Sequence, residues 1–390
     1  MTDYKGMFID DSEKDGKLYS KILNTLKYPY DSKLVVKPET VTEFSQMINR
    51  IVNSDVEILF LDYRLDEILV DKPIDNSNSY KGGGLAQAIR EEASSNSKES
   101  YSEDLFFDLP IILISSEDYI ERLYEPEQTT HDLFDAVYSK ERIGNDDEQH
   151  KLSKKFYALI IGYKELVEYV GNNDSDIFKV IFKIDNDDID GLKIVNQQEI
   201  VKPLSKSTLA HVRARFILKY ILRREGILIS KHELIARLGT TSESFENIDN
   251  EKLISELEDA KYKGIFAVGW ERWWLHKIED LFFRYDILRP YSLTAEERTS
   301  RINAIFDANL KPATSQYTGK TDEKVAFACT CCRMPTEVKH SLSVYDPQIP
   351  NFVIKKRVCF NCLIKREFKG EIEESEQRIF DKLKQSLLEK

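Results

Sequence analysis

Four short apolar runs in the N-terminal third of the chain end in polar side chains. This pattern constrains the fold more than any other feature. Asp10 and Asp11 follow the first run, Asp62 follows the second, Ser115 ends the third, and Lys140 comes shortly after the fourth. Continuous apolar runs that alternate with segments of helical spacing indicate parallel strands covered by helices on both faces. Because the carboxyl ends of parallel strands open on one edge of a sheet, we expect these polar groups to lie together.

The same alternation predicts five strands and their helices through about residue 170. The predicted strands are Gly6–Asp10, Leu34–Val36, Glu57–Leu61, Pro110–Ser115 and Asp132–Ser139. The predicted helices with clear periodicity are Lys14–Leu26, Val41–Ile51, Leu85–Ala93 and Leu152–Val170. Two polar insertions, 66–83 and 94–108, interrupt this order.

Five segments in this region resemble the receiver domain of bacterial response regulators. They are FIDDSE (8–13), LFLDYRLDE (59–67), GLAQAIRE (84–91), PIILISSE (110–117) and AVYSK (136–140). Each segment alone is common, but the five occur in the order of that family with matching secondary structure between them. The resemblance implies a flavodoxin-like, doubly wound, five-stranded parallel sheet over residues 1–170.

The resemblance also implies a role for each polar residue at the sheet edge. Asp62 would be the phosphoacceptor, and Asp10, Asp11 and Asp62 would bind Mg²⁺ together with a backbone carbonyl after the third strand, that of Arg64. Lys140 would contact the phosphoryl oxygens. Ser115 would donate a hydrogen bond to the phosphoryl group.

Some positions depart from the family pattern. Glu141 stands where a proline usually follows the lysine, and Val137 occupies the usual aromatic position. Tyr138 is one residue later and should face the other side of the strand. A degenerate receiver that serves as a scaffold is therefore the alternative to a phosphorylated one.

Composition limits the remaining function classes. The 390 residues carry a net charge of −12, with 41% apolar and 32% charged residues, which predicts two or three globular domains. The acidic balance argues against broad attraction to nucleic acid or membrane surfaces. The first residues lack a secretory signal, and no apolar run is long enough to span a membrane, so a cytoplasmic location is expected.

Residues 171–310 are predicted to form a mainly helical middle domain. Ile177–Lys183 has the composition of a strand, Ser207–Glu225 is predicted as a basic helix, and 230–247 has the pattern of a helix-turn-helix. Its second helix carries Glu243 and Glu246, which would face DNA phosphates unfavourably, so helix packing or a protein contact is the stronger interpretation. Trp270, Trp273 and Trp274 share a stretch, 262–284, whose apolar residues have helical spacing. Residues 311–324 are predicted to be a linker.

All five cysteines lie in the C-terminal segment 325–390. Cys329, Cys332, Cys359 and Cys362 form two C-x2-C pairs, a spacing that suits one tetrahedral zinc ion and resembles a zinc ribbon or treble clef. A small zinc-binding α+β module, with a strand at 353–358 and a final helix, is expected. A register that uses Cys331 in place of one partner is left open.

Taken together, these features predict a two-component-type signalling protein. Phosphorylation of Asp62 by a histidine kinase or another phosphodonor would gate a protein–protein interaction of the C-terminal domains, with Mg²⁺ and Zn²⁺ as cofactors. By analogy, the domain combination suggests a bacterial defence system. A DNA-binding regulator is the alternative, oligomerisation is left open, and no membrane partner is expected. The chain carries no independent catalytic motif, so a regulatory role is favoured over an enzyme.

Overall fold

The computed structural model describes residues 2–66, 80–99, 108–125, 128–168, 176–207 and 209–388. The contacts between residues divide the chain into two compact units. The first unit comprises Met1–Asp185, Ile200–Leu218 and Lys263–Trp270. The second unit comprises Asn186–Glu199, Lys219–Tyr262 and Glu271–Lys390. The domain boundaries expected from the sequence stay a prediction.

A five-stranded sheet forms the centre of the first unit. Its strands are β1 (Asp3–Asp10), β2 (Lys33–Thr40), β3 (Ile58–Leu61), β4 (Ile111–Ser115) and β5 (Ala136–Ser139). All neighbouring strands are parallel, and their order is β2-β1-β3-β4-β5. This is the flavodoxin-like order of a doubly wound sheet, so the predicted fold class is confirmed.

Helices cover both faces of this sheet. They are α1 (Glu13–Thr25), α2 (Phe44–Val52), α3 (Gly82–Glu99), α4 (Glu117–Tyr119), α5 (Lys140–Ile143) and α6 (Asp146–Glu168). A π-helical turn, Ile120–Tyr124, continues α4. A 3-10 turn, Gln128–Leu133, precedes β5 and replaces the first residues of the predicted fifth strand.

Successive side chains of each strand point to opposite faces of the sheet, and a separate layer of helices packs on each face. Met7 and Ile9 of β1 pack in one core with Met47 of α2 and Leu85 of α3. Phe8, between them in sequence, faces the other side, where its ring stacks on Tyr19 of α1 at 6.1 Å between centroids. Phe60 of β3 meets Phe156 of α6 edge to face at 5.2 Å on this same side. The period of two along a strand therefore places α2 and α3 on one face and α1 and α6 on the other.

Four further helices follow in the chain. They are α7 (Asp176–Phe182), α8 (Ile189–Val195), α9 (Gln198–Ser205) and α10 (Ala210–Phe216), and a π-helical turn, Ile217–Leu222, extends α10. The predicted strand 177–183 is wrong, because this segment is α7 and buries Phe178, Ile181 and Phe182 at helical spacing. The predicted helix 207–225 is shorter than expected, because Ser207 accepts a hydrogen bond from Leu209 N–H before the helix begins.

The second unit contains a cluster of helices with a short antiparallel strand pair. Its elements are β6 (Leu228–Ile229), α11 (Lys231–Leu238), α12 (Ser242–Glu246), α13 (Glu251–Asp259), β7 (Trp273–Trp274), α14 (Leu275–Arg284) and α15 (Ala295–Phe306). The helical interpretation of the tryptophan segment is wrong at Trp273 and Trp274, which pair with Ile229 and Leu228 as an antiparallel strand. The helix begins only at Leu275.

A buried arginine joins the helices of this cluster. The Arg298 side chain of α15 is fully buried and donates to five backbone carbonyls, among them those of Arg237 at 2.7 Å and Val325 at 2.7 Å. The Arg237 carbonyl lies at the end of α11, where helix carbonyls lack partners. Burial lowers the pKa of Arg298 to about 10, so the guanidinium stays charged at neutral pH.

Two antiparallel strand pairs and two helices form the C-terminal part. They are β8 (Val325–Ala328), β9 (Pro335–Glu337), β10 (Ser341–Ser343), β11 (Arg357–Cys359), α16 (Phe360–Ile364) and α17 (Gln377–Leu388). The predicted strand at 353–358 begins later, at Arg357, and Val353 instead makes an isolated bridge with Gly226. Segment 311–324, expected to be a linker, buries Ala313 and Ser315 within the second unit.

Parts of two predictions lie outside the described residues. These are 67–79 and 100–107 of the polar insertions; the segment 171–175 before α7 is also outside. In the part of the chain that the structure describes, no helix combines the length and the apolar character needed to cross a membrane.

Candidate functional site

The strand register brings the predicted polar residues to one edge of the sheet. Ile9 of β1 pairs with Leu61 of β3, so Asp10 and Asp62 each follow directly at neighbouring strand ends. Leu61 pairs in turn with Leu113 of β4, which places Ser115 two residues beyond the same level. Asp10, Asp62 and Ser115 are all buried. The edge predicted from the sequence therefore exists in the structure.

Lys140 joins two of these carboxylates. Its ammonium donates to Asp10 Oδ2 at 2.8 Å and lies 3.1 Å from Asp62 Oδ1. Asp15, on the first turn of α1, is a more distant partner at 3.5 Å. Lys140 reaches the site because it is the first residue of α5, directly after β5, and its side chain is largely buried.

The backbone holds the carboxylates of the two aspartates in place. Asp62 Oδ2 accepts a hydrogen bond from the Arg64 N–H at 2.8 Å, and Asp10 Oδ1 accepts one from the Ser12 N–H at 2.8 Å. Each bond closes a local turn over two residues, a geometry that aspartate favours after a strand. Both carboxylates are thus oriented before any ligand binds.

The charge at this edge is unbalanced. Asp10, Asp11 and Asp62 are all buried, and the Lys140 ammonium contacts two of them, Asp10 and Asp62. Burial raises the pKa of Asp62 to about 6; Lys140 lowers it and Asp10 raises it. Burial alone would lower the pKa of Lys140, but Asp62 and Asp10 outweigh it, so that pKa is raised. A divalent cation would relieve the remaining negative charge, and oxygen ligands of this kind suit Mg²⁺.

Ser115 places a hydroxyl near the end of β4 with no partner among the described residues. Its side chain is fully buried, and its Oγ makes no hydrogen bond to any of them. A buried hydroxyl without a partner costs free energy, so such groups in a folded protein need a reason. The hydroxyl is available to a ligand bound at this edge.

Gly82 packs against the loop that carries Asp62, a contact that the sequence analysis missed. A Cβ at Gly82 would overlap the backbone oxygen of Asp62. The Gly82 N–H also donates to the Tyr63 carbonyl at 2.8 Å, and Arg64 forms a β-bridge with Lys81. The first residue of α3 therefore contacts the Asp62 loop although the polar insertion separates them in sequence. The glycine run at 82–84 was the only sequence signal for this contact.

A second candidate site lies in the C-terminal part of the second unit. The Cys329, Cys332, Cys359 and Cys362 sulfurs lie within 4.8 Å of one another. Cys329 and Cys332 belong to the turn between β8 and β9, while Cys359 ends β11 and Cys362 lies in α16. One C-x2-C pair thus comes from the β8–β9 turn and the other from the junction of β11 and α16, and together they supply the four ligands of a tetrahedral metal site. Cys331 is not part of this group of four, which favours the register without it.

The four thiols cannot all ionise without a cation. Hydrogen bonds from Cys332 and Cys359 lower the pKa of Cys329, whereas the same contact with Cys329 raises the pKa of Cys359, and burial raises that of Cys362. The Cys359 N–H also donates to the Cys329 sulfur at 3.2 Å. The Cys329 thiolate is therefore stabilised, whereas Cys359 and Cys362 hold their protons more tightly. The donor set fits Zn²⁺, with no ligand position left for water.

The predicted helix-turn-helix is present as a geometric element. Gly239 ends α11 in the left-handed conformation, with φ of +75°, and α12 follows after Thr241 caps it. However, α12 has only five residues, and Glu246 on it pairs with Lys231 of α11. DNA binding by this element stays a prediction.

Comparisons with known proteins give receiver domains as structural neighbours of the N-terminal part of the chain. A co-crystal structure of the Saccharomyces cerevisiae phosphotransfer protein Ypd1 with the receiver domain of Ssk1 matches with 11% identity, 44% of this chain, 96% of that chain and a TM-score of 0.26. A sensor protein from Polaromonas sp. JS666 matches with 13% identity, 40% and 96% coverage and a TM-score of 0.25. The Salmonella typhimurium response regulator RcsB matches with 16% identity, 54% and 93% coverage and a TM-score of 0.27. No family model matches the chain, and no curated protein matches it. The fold assignment therefore rests on the strand order and direction described above.

Proposed function

We propose that the first unit is a receiver whose Asp62 accepts a phosphoryl group, and that this modification controls a protein–protein interaction of the C-terminal segments. The observation that carries the proposal is the Lys140 ammonium between Asp10 and Asp62, at 2.8 and 3.1 Å from their oxygens. A buried carboxylate held by a backbone N–H and faced by a fixed cation is equipped for nucleophilic attack on phosphorus.

The transfer needs only groups of the phosphodonor and this site. An Asp62 carboxylate oxygen forms a bond to phosphorus while the bond from phosphorus to the donor breaks. The donor, a phosphohistidine of a kinase or a small acyl phosphate, leaves with the electron pair of that bond. The product is an acyl phosphate on Asp62. At neutral pH most Asp62 side chains are ionised even with the pKa raised to about 6, so no base is needed.

Lys140 and Ser115 have different roles in this scheme. Lys140 stabilises the charge on the phosphoryl oxygens, because its ammonium already lies at the Asp62 carboxylate. Ser115 donates the hydrogen bond for which its buried hydroxyl has no acceptor in the described parts of the chain. These roles rest on the geometry of the chain itself.

The site also suits a magnesium ion. Asp10, Asp11 and Asp62, with the backbone carbonyl of Arg64, are the ligands we propose for it. The supporting observation is the pair of buried carboxylates of Asp10 and Asp62 at the Lys140 ammonium, with Asp11 buried next to Asp10 in sequence, together with the raised pKa of Asp62. When bound, Mg²⁺ supplies positive charge to the incoming phosphoryl oxygens.

Zinc is proposed for the four-cysteine site, where it would be structural. Four thiolates that join two turns of a small module contribute much of its folding free energy when they bind the metal. The interaction partner of the C-terminal segments is proposed to be a protein.

The test is phosphorylation of the full chain by acetyl phosphate with Mg²⁺, followed by intact-mass spectrometry. We expect one phosphoryl group per wild-type chain, none for Asp62→Ala, and none after Mg²⁺ is removed with a chelator. Asp118→Ala is the matched control, because Asp118 is an exposed acid of the same unit that pairs with the exposed Arg122. Wild-type protein that gains no phosphoryl group and shows no binding of BeF₃⁻ would identify the first unit as a scaffold instead.

A further inference from the structure

The two ends of the β8–β9 hairpin carry different sets of metal-binding side chains. Val325 pairs with Glu337, and Ala328 with Pro335, so the turn that bears Cys329 lies at one end of the hairpin. Glu323 and Glu337 lie at the opposite, open end. Four residues of strand separate the ends, roughly 13 Å at about 3.3 Å per residue. The open end is thus distinct from the four-cysteine site.

Glu323, Glu337 and His340 come together at this open end. Their candidate ligand atoms all lie within 4.8 Å of one another. Glu337 ends β9, and His340 follows on a 3-10 turn, Val338–His340, which folds its ring back onto Glu337. Glu323 precedes β8 by two residues and lies opposite Glu337 because of the hairpin register. The three donors therefore converge through the pairing of the strands.

The two carboxylate oxygens of Glu337 differ in their contacts. Glu337 is 2% exposed, and its Oε1 accepts from Ser315 Oγ at 2.6 Å and contacts His340 Nδ1. Its Oε2 is buried and has no hydrogen-bond partner within the described ranges of the chain. An unsatisfied carboxylate oxygen in the protein interior is unfavourable, because the oxygen has lost its water without gaining a new partner. A cation bound at the cluster would satisfy it.

The imidazole is held in place for such a ligand. The His340 ring packs against Tyr317 with centroids 4.5 Å apart and ring planes tilted by 35°, and it lies 6.1 Å from the Phe360 ring, edge to face. This packing fixes the ring plane and limits the loss of side-chain entropy on binding. Metal-ligating histidines are oriented in the same way by their surroundings.

We propose that Glu323, Glu337 and His340 form a second metal site that binds a divalent first-row transition ion such as Zn²⁺ or Mn²⁺. Two carboxylates and one imidazole are a mixed oxygen and nitrogen donor set, which suits these ions and excludes a preference for purely thiolate-seeking ions such as Cu⁺. Three protein ligands leave at least one coordination position open to water, in contrast to the closed four-cysteine site.

Lys339 is a competitor at this site. Its ammonium lies 2.6 Å from Glu323 Oε2, and its side chain is 60% exposed. The pair is therefore a surface-type ion pair, and the long side chain can move into solvent when a cation binds. Removal of Lys339 should strengthen metal binding, whereas removal of a ligand should weaken it.

The experiment is titration of metal-free full-length protein with Co²⁺, followed by its absorption spectrum. The titration uses full-length protein with Asp11→Asn and Asp62→Asn, because these changes remove two ligands of the proposed Mg²⁺ site that would otherwise bind Co²⁺. We expect this protein to bind two equivalents. One gives the intense sulfur-to-metal bands of a thiolate site, and the other gives only weak bands of oxygen and nitrogen ligands. Glu337→Gln and His340→Phe should weaken the second site at least about 100-fold and keep the thiolate bands. His340→Phe retains a ring that can pack against Tyr317.

Two further variants serve as a control and as a test of competition by Lys339. Glu371→Gln is the matched control, because Glu371 is an exposed glutamate of the same part of the chain outside the cluster. It should keep both sites. Lys339→Met should tighten the second site about two- to fivefold, the equivalent of a surface ion pair. A single equivalent in the Asp11→Asn/Asp62→Asn protein, or a second site unchanged by both Glu337→Gln and His340→Phe, would overturn the proposal.

Discussion

Replacement of Asp62 by asparagine should stabilise the metal-free protein, because the fold holds this carboxylate charge under unfavourable conditions. Burial is the largest cause of the raised pKa of Asp62, the Asp10 charge adds to it, and Lys140 only partly compensates. Asparagine has nearly the same shape. Its side-chain oxygen can still accept the hydrogen bond that Arg64 N–H donates to Asp62 at 2.8 Å.

The size of the effect follows from the pKa. Burial and the Asp10 charge, partly offset by Lys140 and the Arg64 N–H, raise the pKa of Asp62 from 3.8 to about 6, and each pKa unit corresponds to about 1.4 kcal/mol. The ionised carboxylate therefore costs the folded state about 3 kcal/mol at neutral pH. This figure already includes the attraction to the Lys140 ammonium, which lies 3.1 Å from the Asp62 carboxylate. Burial of the neutral asparagine amide offsets part of this gain, so a net gain of about 1–2 kcal/mol is expected for the variant at pH 7.

The direction of the pKa change determines whether stability rises or falls with pH. A group whose pKa is higher in the folded than in the unfolded state binds its proton more tightly when folded. Its contribution to stability is complete below pH 3.8 and is lost as the pH rises through about 6. The wild type should lose this stability between about pH 4 and pH 6, and Asp62→Asn should not. The difference between the two proteins should be close to zero at about pH 4.

Hydrogen exchange of peptides that cover β3 is the assay, because protection of a central strand reports the free energy of opening of the first unit. The measurement is made without divalent ions at pH values from about 4 to about 7.5, so that it covers the predicted change. Asp118→Asn is the control for loss of one exposed acid in the same unit. Two results would refute this explanation. One is an Asp62→Asn protein that is less stable than wild type at neutral pH, and the other is an Asp62→Asn protein whose stability changes with pH as that of wild type does.

Three other substitutions test the packing of the first unit and the ligands of the four-cysteine site. Gly82→Ala should destabilise the first unit by about 1–3 kcal/mol in urea unfolding, because its Cβ would overlap the Asp62 carbonyl oxygen; Gly84→Ala, with open space around its Cβ, should be neutral or stabilising. Arg90→Met should cost about 3–5 kcal/mol in the same assay, because it leaves the buried Asp108 and Asp135 carboxylates without their ion pair at 3.0 and 2.9 Å. Cys359→Ser should weaken Co²⁺ binding and lower the intensity of the thiolate-to-Co²⁺ absorption bands, whereas Cys331→Ser should leave both unchanged; unchanged affinity and intensity in Cys359→Ser would exclude the four-sulfur site.

The central sheet could be predicted because its strands are buried on both faces. Every residue of β3 and β4 is buried, so each appears in the sequence as a continuous apolar run. The outer strands were harder to delimit. β2 extends to Thr40, beyond its predicted end, because residues such as Lys37 and Glu39 carry no apolar signal. The end of an edge strand is set by backbone hydrogen bonds, which any residue type can make, so the sequence does not show where it lies.

The misassigned segments share a physical cause. A short apolar run such as 177–183 fits a strand and one side of a short helix equally well. Trp273 and Trp274 form a two-residue strand whose partners, Leu228 and Ile229, are distant in sequence. Local periodicity has no information about such pairing.

The candidate sites show the same division. The four cysteines could be predicted because the ligand type and spacing are both local. Gly82, by contrast, reaches Asp62 across an insertion, and Glu323 meets Glu337 only through the register of β8 and β9. Both contacts depend on tertiary structure. A prediction from sequence finds such residues only if the pairing of the strands is already known.

The position of Tyr138 limits how a change at Asp62 can reach the surface. Tyr138 follows Val137 on β5, so the two side chains lie on opposite faces of the sheet. Val137 packs with the core beneath α2 and α3, whereas the Tyr138 ring meets Phe156 of α6 edge to face at 5.6 Å. If an aromatic side chain of β5 transmits a change from the Ser115 end of the sheet, that side chain is Tyr138, and its ring lies against α6. A phosphorylation signal that used β5 would act on α6 and the elements packed with it, rather than on the surface near α4.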